Sequence, residues 1–197
     1  MELFIIFLII TAINLMPVFS PPTWMVLAYL QIAYNPNLLA LTLVGAAAAS
    51  AGRLLLARFA NTIRAKFLSN KAQRNLDELR ERLETKKEVL AGGILLFALS
   101  PLPSNQLFLA YGLTGLPLSR AILPFFGGRF FSYFFWIFTA DRAAEYLPEN
   151  IVSKMLGPYF ILSQLLTLFT VWLFTRIDWK TLINHRKFRL LKEELKI

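Results

Sequence analysis

The chain has 197 residues and no cysteine; 56% of the residues are hydrophobic and 18 are phenylalanine. This apolar content exceeds what a soluble domain needs, and it predicts an integral membrane protein without disulfide bonds or thiolate metal sites. The net charge is +9, and the basic residues concentrate in two blocks that flank apolar spans, Arg53–Lys87 and Arg176–Lys196. This distribution is typical of the cytoplasmic loops of membrane proteins. It therefore predicts no nucleic-acid partner.

The first predicted element is a re-entrant helical hairpin over residues 3–34. Its first arm, Leu3–Met16, is apolar but too short to cross a bilayer. Pro17, Pro21 and Pro22 then break the helix, because proline donates no backbone hydrogen bond. Irregular backbone at membrane depth is tolerated only where protein or a water-lined cavity satisfies it. We therefore expect these prolines to form a tip inside the protein.

A first crossing is predicted over residues 38–60, which completes a first repeat of residues 1–60. Its centre, residues 45–52, consists of small residues that let another backbone approach closely. A polar helix over residues 61–88 should follow in the cytoplasm, on the membrane surface or on the protein's own core. Three leucines recur in it at helical spacing, Leu76, Leu79 and Leu83.

The second repeat, residues 89–140, copies this pattern. It has a predicted hairpin over residues 89–118, broken at Pro101 and Pro103, and a crossing over residues 120–140. Leu-Ala-Tyr follows the break in both hairpins at an offset of 82 residues, which also pairs Leu41 with Leu123 and Gly45 with Gly127. Two matching, helix-broken segments in corresponding halves indicate a transporter-like binding site.

The remaining chain contains one more predicted crossing, residues 155–175, and a basic tail, residues 176–197. If both basic blocks are cytoplasmic, the loop 141–154 lies outside, and the two hairpins enter from opposite sides. The predicted fold is an all-α, multi-pass protein of the cell membrane. It is an inverted repeat of a re-entrant helical hairpin plus a transmembrane helix, with an additional C-terminal transmembrane helix.

Two arginines lie within the predicted crossings. Arg53 and Arg129 are eight or nine residues from a predicted cytoplasmic helix end, which is about 12 Å deep. Arginine at that depth tends to face the protein interior or a cavity. One interpretation is an anion clamp, because a guanidinium group binds phosphate through two parallel hydrogen bonds. The other is snorkelling of the long side chain toward the interface.

Neutral polar side chains surround the two predicted tips. They can cap the broken helix ends, offer hydrogen bonds to a passing headgroup, or do both. The helix that restarts near Ser104 also points its N–H groups toward the same region, which suits an anion. Asn14, in an apolar arm, is expected to bond the opposite tip. The candidate substrate-binding residues at the tips are Ser20, Thr23, Ser104, Asn105 and Gln106.

No catalytic site is predicted. The single histidine, His185, lies in the basic tail, and no pair of carboxylates occurs in an apolar segment. We expect neither an enzyme nor a cofactor nor a bound metal. The expected partners are membrane lipids, in particular anionic ones.

Three motifs occur together in this chain: the tip Pro17–Pro22, the segment Gly45–Arg58 with the pair Gly52-Arg53, and Phe97–Pro101 followed by Ala110-Tyr111-Gly112. Through them the chain resembles the DedA family, the bacterial branch of the VTT-domain or SNARE-associated Golgi proteins. The resemblance covers about residues 5–140. It implies two opposed re-entrant hairpins and lipid scrambling or flipping, including that of undecaprenyl phosphate, or proton-coupled transport.

The chain departs from this family at charged positions. Thr23 and Trp24 stand where the family has an acid after the first tip, and Arg53 stands where it has one after the glycine. Beside the second tip the family has arginines, and this chain has Leu99 or Ser100 at one of these positions and Asn105 at another. The residues tied to proton coupling therefore do not transfer.

The sequence predicts a divergent relative: a transporter or a flippase- or scramblase-like protein for an anionic amphiphile, without strong proton coupling. The alternative is a membrane scaffold or assembly factor with purely structural hairpins. In that case the polar helix 61–88 and the basic tail would recruit partners.

Overall fold

The computed structural model describes residues 2–18, 20–100, 104–144, 158–179, 181–182 and 188–190. This part of the chain is helical, apart from turns and one isolated bridge between Ile177 and Leu190, which confirms the all-α class. The helices are α1 (Glu2–Leu15), α2 (Thr23–Tyr34), α3 (Leu38–Phe67), α4 (Asn70–Glu84), α5 (Lys87–Leu99), α6 (Asn105–Thr114), α7 (Ser119–Ala143) and α8 (Pro158–Arg176).

Two described helices, α3 and α7, are long and apolar enough to cross a membrane. Helix α3 begins where predicted, because the Asn37 side chain accepts a hydrogen bond from the N–H of Ala40 and caps it. It continues to Phe67 instead of ending at residue 60. The next helix begins only at the cap of Ser69, whose hydroxyl accepts from the N–H of Ala72. The segment 61–88 is therefore divided among the end of α3, all of α4 and the start of α5.

Helix α4 lies on the protein's own core. Leu76 and Leu79 are buried, and the first of them packs with Ala60 of α3 and Leu113 of α6. Asn75 ties α4 to the end of α8, since its Nδ2 donates to the Ile177 carbonyl over 2.7 Å. The ends of α3 and α8 and the whole of α4 therefore lie together at one end of the molecule.

Helix α1 packs along the first half of α3 and runs parallel to it. Thr11 donates from Oγ1 to the Ala48 carbonyl over 3.4 Å. One turn further on, Gly52 allows the close approach, because a Cβ there would lie 2.6 Å from the Thr11 carbonyl oxygen and from the Asn14 Cβ. The break after α1 consequently lies in the middle of α3.

Helix α6 packs along the second half of α3, also in parallel. Gly112 faces the Ala57 carbonyl so closely that a Cβ would collide with it. The last carbonyl of α6, that of Thr114, accepts from Arg64 Nη1 over 3.1 Å. Helix α5 begins at Lys87, directly after α4, so both ends of the segment 87–114 lie at the end of α3 that carries α4.

Helix α7 packs against α3, α5 and α2. It runs opposite to α3, because it begins shortly after α6 ends beside Arg64, and its Arg129 lies near Arg53 in the middle of α3. Trp136 of α7 meets Trp24 of α2 with ring centroids 5.6 Å apart. Gly128 of α7 receives α5, because a Cβ there would lie 2.6 Å from that of Ala98. The two Gly-Arg pairs, Gly52-Arg53 and Gly128-Arg129, thus each lie where a short helix crosses a long one.

The sequence offset pairs Gly45 with Gly127, but the two glycines do not have equivalent neighbours in the structure. Gly45 faces the Leu27 side chain, whereas no atom of a neighbouring element among the described residues lies within 4 Å of a Cβ built at Gly127. The glycines against which a short helix packs closely are Gly52 and Gly128, which are 76 residues apart.

Candidate functional site

Arg53 links the two broken segments. Its guanidinium donates from Nη1 to the carbonyl of Asn14, over 2.8 Å, and from Nε to the hydroxyl oxygen of Ser104, over 3.0 Å. Asn14 belongs to the last turn of α1, and Ser104 directly precedes α6. One side chain in the middle of α3 therefore holds the end of the first arm and the start of the restarted helix of the second segment.

A second bridge joins the same two segments. Asn105 donates from Nδ2 to the carbonyls of Pro17 and Met16, over 3.0 and 3.5 Å. The expected contact between the two tips is thus made by Asn105. Pro101 and Pro103, the predicted tip prolines of the second hairpin, lie outside the described residues.

Arg129 of α7 contacts the end of α5, close to the two bridges made by Arg53 and Asn105. Its Nη1 donates to the carbonyl of Ser100, the residue that ends α5, over 3.0 Å. A positive charge at the carboxyl end of a helix is favourable, because the unpaired carbonyls there carry partial negative charge. The guanidinium also lies over the rings of Phe125 and Tyr133, 5.3 and 5.7 Å from their centroids.

These residues form one polar layer across the middle of the molecule, which we call the arginine layer. It is buried: Arg53 is 3% and Arg129 is 4% exposed, so the snorkelling interpretation is wrong for both. The two guanidinium groups are close enough for Arg129 to act electrostatically on Arg53. The layer comprises Arg53, Arg129, Asn14, Ser100, Ser104 and Asn105.

The charge of Arg53 has no carboxylate partner in the described part of the chain, because both of its hydrogen bonds end on neutral oxygen atoms. Arg64, on the same helix, forms an ion pair with Asp77. A buried charge is costly unless it is paired. The layer therefore suits an anionic ligand, which would supply the missing counter-charge.

The other predicted tip residues have more local roles. Thr23 accepts from the side-chain Nδ2 of Asn14 over 2.9 Å. The expectation that this asparagine side chain bonds the opposite tip is therefore wrong, because it closes the break of its own segment. Ser20 is buried, and Gln106 is half-buried in the first turn of α6.

Side-chain capping of the restarted helices is not observed. The cap positions are Pro22 for α2 and Ser104 for α6, and neither makes a side-chain hydrogen bond to its helix. The Ser104 hydroxyl accepts from Arg53 instead. The first N–H groups of α6 thus lack a side-chain acceptor from their cap residue, which also favours an anion at this position.

Two further residues near the layer escaped the sequence analysis, Ser50 of α3 and Ser132 of α7. Both are buried, and their hydroxyl groups have no hydrogen-bond partner among the described residues. Each lies three residues from an arginine of the layer. That spacing, which keeps both side chains on one helix face, is the signal that could have identified them.

Comparisons with models of protein families, with curated proteins and with solved structures found no match for this chain. The resemblance to the DedA family therefore stays a prediction.

Proposed function

We propose that the protein is a multi-pass transporter of the cell membrane, or a lipid flippase- or scramblase-like protein, for an anionic amphiphile. The observation that carries the proposal is the arginine layer. It combines two buried guanidinium groups with neutral hydroxyl, amide and carbonyl groups at the point where two broken helical segments meet. An anionic headgroup supplies the counter-charge that the described residues do not provide for Arg53.

We further propose that the architecture is an inverted repeat of two re-entrant hairpins, as in the DedA family. Supporting this, α1 runs with α3 from the end where α3 begins, whereas both ends of the segment 87–114 lie at the opposite end of α3. Each segment turns back at the arginine layer. The corresponding close contacts at Gly52 and Gly128 fit two related halves.

In this mechanism, the contacts between the two segments close the substrate path. Opening requires Asn105 to release the Pro17 and Met16 carbonyls and Ser104 to release Arg53. A phosphate group can replace these neutral acceptors on the guanidinium, because an anion adds the attraction between opposite charges and can accept two parallel hydrogen bonds. Since no acid lies among the residues of the layer, strong proton coupling is not part of the proposal.

The second candidate function, a scaffold that recruits partners through its polar helix, has less support. Leu76 and Leu79 of α4 are 0% and 8% exposed, so its apolar face is occupied by the protein's own core. Such a scaffold would have to use the polar face of α4 or the basic tail.

The proposed function is tested by lipid translocation in reconstituted vesicles. Purified protein is inserted into vesicles that contain either phosphatidylglycerol or phosphatidylcholine labelled on an acyl chain, and the label in the outer leaflet is reduced by dithionite. We expect the protein to accelerate translocation of the anionic lipid in preference to the zwitterionic one. Replacing Arg53 by Gln should slow it about tenfold or more, by loss of charge-assisted bonds to the headgroup.

The matched control is Arg58→Gln, since Arg58 is an exposed arginine of the same helix. It should translocate the anionic lipid like the wild type. Translocation that does not exceed the rate in protein-free vesicles would overturn the proposal. A rate that is equal for both headgroups would remove its anionic specificity.

A further inference from the structure

Three buried polar atoms beside the arginines have no hydrogen-bond partner in the described part of the chain. They are the hydroxyl oxygens of Ser50 and Ser132 and the side-chain Oδ1 of Asn105. The three residues are only 6%, 4% and 2% exposed. Buried polar atoms in folded proteins are nearly always hydrogen-bonded, so each of these indicates a partner that binds there.

Helical register sets the two serines on one side of the arginine layer. Ser50 precedes Arg53 by three residues in α3, and Ser132 follows Arg129 by three residues in α7. Residues with this spacing share a helix face and lie about 4.5 Å apart along the axis. Because α3 and α7 run in opposite directions, both serines are displaced from the arginines toward the end of the molecule where α3 begins.

Asn105 restricts the chemistry of the partner. Its Nδ2 faces the carbonyls of Pro17 and Met16, which fixes the orientation of the amide and leaves Oδ1 as an acceptor. An acceptor needs a hydrogen-bond donor, and the oxygen atoms of an ionised phosphodiester offer none. An ammonium group would donate, but the positive charges of Arg53, which bonds the neighbouring Ser104, and of Arg129 repel it. A neutral hydroxyl group meets both conditions.

We infer that the ligand of the arginine layer is a phosphodiester with a neutral polyol headgroup, bound through its phosphate by the two arginines and through its hydroxyl groups by Ser50, Ser132 and Asn105. The inference rests on the proposed function and narrows it to one class of anionic headgroup. It also orients the ligand, because the hydroxyl groups that contact the two serines are displaced from the phosphate toward the start of α3.

Two lipids with identical acyl chains test the inference. Phosphatidylglycerol carries two hydroxyl groups beyond its phosphodiester, whereas phosphatidylmethanol has the same charge and a methyl group in their place. Displacement of a fluorescent phosphatidylglycerol from the detergent-solubilised protein measures their binding, with phosphatidylcholine as the zwitterionic reference. We expect phosphatidylglycerol to displace the probe at about three- to tenfold lower concentration than phosphatidylmethanol, the effect of one or two net hydrogen bonds.

Serine variants show which side chains cause the preference for phosphatidylglycerol over phosphatidylmethanol. Ser50→Ala and Ser132→Ala should each reduce the preference for phosphatidylglycerol and leave the binding of phosphatidylmethanol unchanged. Ser119→Ala, at the exposed start of α7, is the matched control and should keep the preference.

Equal displacement by the two anionic lipids would overturn the inference and leave the proposed function standing. If both serine variants keep the full preference for phosphatidylglycerol over phosphatidylmethanol, the inference is also overturned, because groups other than the serines would then bind the hydroxyl groups of the lipid. If neither anionic lipid displaces the probe better than phosphatidylcholine, or if the probe does not bind, the proposed function fails as well.

Discussion

Arg53 and Arg64 lie on the same helix, and the surroundings of the two guanidinium groups differ in charge. Arg64 neutralises Asp77 and also holds the Thr114 carbonyl, as expected of an arginine with a structural role. Arg53 is more deeply buried, and its bonds end on the neutral oxygen atoms of Asn14 and Ser104. Its position joins the two broken segments, while no carboxylate of the described residues neutralises its charge.

Glycine has a specific role where the helices approach most closely. Gly112 of α6 lies against the Ala57 backbone, so a methyl group at this position has to push α6 away from α3. We expect Gly112→Ala to lower the free energy of unfolding by about 1–3 kcal/mol, the usual effect of overpacking. Unfolding of the purified protein by a denaturing detergent, followed by circular dichroism, measures the change.

Gly92 of α5 provides the control for this substitution, because no neighbouring element in the described part of the chain has an atom within 4 Å of a Cβ built there. Gly92→Ala should be neutral or stabilise the helix by up to about 1 kcal/mol through the better helix propensity of alanine. An equal destabilisation by both substitutions would contradict the close packing of α6 on α3.

At the scale of elements, the segment of α5 and α6 decides between a hairpin and a crossing. Lys87 begins α5 and Ser119 follows the end of α6, and both residues are exposed. The inverted-repeat proposal sets both residues on the cytoplasmic side, as the two ends of one re-entrant hairpin, whereas a single crossing would set them on opposite sides. The chain has no native cysteine that could contribute background labelling. Cysteines introduced at Lys87 and Ser119 should both be shielded from an impermeant thiol reagent in intact cells.

Tyr34→Cys is the positive control for labelling. Tyr34 is exposed at the end of α2, which the inverted-repeat proposal assigns to the outer side, so a thiol there should be labelled in intact cells. Opposite labelling of the cysteines at positions 87 and 119 would exclude the re-entrant arrangement of the second segment.

At the scale of the whole molecule, the sequence predicted the elements better than their contacts. Pro17 and Pro22 break a helix through local chemistry. The distance of Arg53 from its helix end was underestimated, because it was counted from residue 61, whereas α3 continues to Phe67. The sequence offset pairs Gly45 with Gly127, but the two glycines have different neighbours, because sequence identity does not show which glycine receives a neighbouring backbone.

Long-range hydrogen bonds were the least predictable part of the candidate site. Asn105, and not Asn14, reaches across to the other segment, and the Ser104 hydroxyl bonds Arg53 instead of capping α6. These choices depend on how α1 and α6 pack along α3, which local propensity does not encode. The end of α3 at Phe67 was also missed, because the apolar crossing ends near residue 60 but the helix continues through polar residues, and the next helix begins only at the cap of Ser69.

The most direct test of the central claim is whether Arg53 and Arg129 hold one phosphate group together. Retention of phosphatidylglycerol by the purified protein is measured by native mass spectrometry for Arg53→Gln, Arg129→Gln and the double variant. The exposed arginines Arg58 and Arg120, each replaced by Gln, serve as controls on the same two helices.

Each substitution in the layer should weaken binding by about 1.5–3 kcal/mol, the range for hydrogen bonds to charged groups. The double variant should lose less than the sum of the two, because the groups share one ligand. Lysine at either position should restore binding only in part, since it lacks the planar fork. If both single variants and the double variant retain the anionic lipid like the wild type, the arginines only hold the broken helices together, and the transport proposal is contradicted.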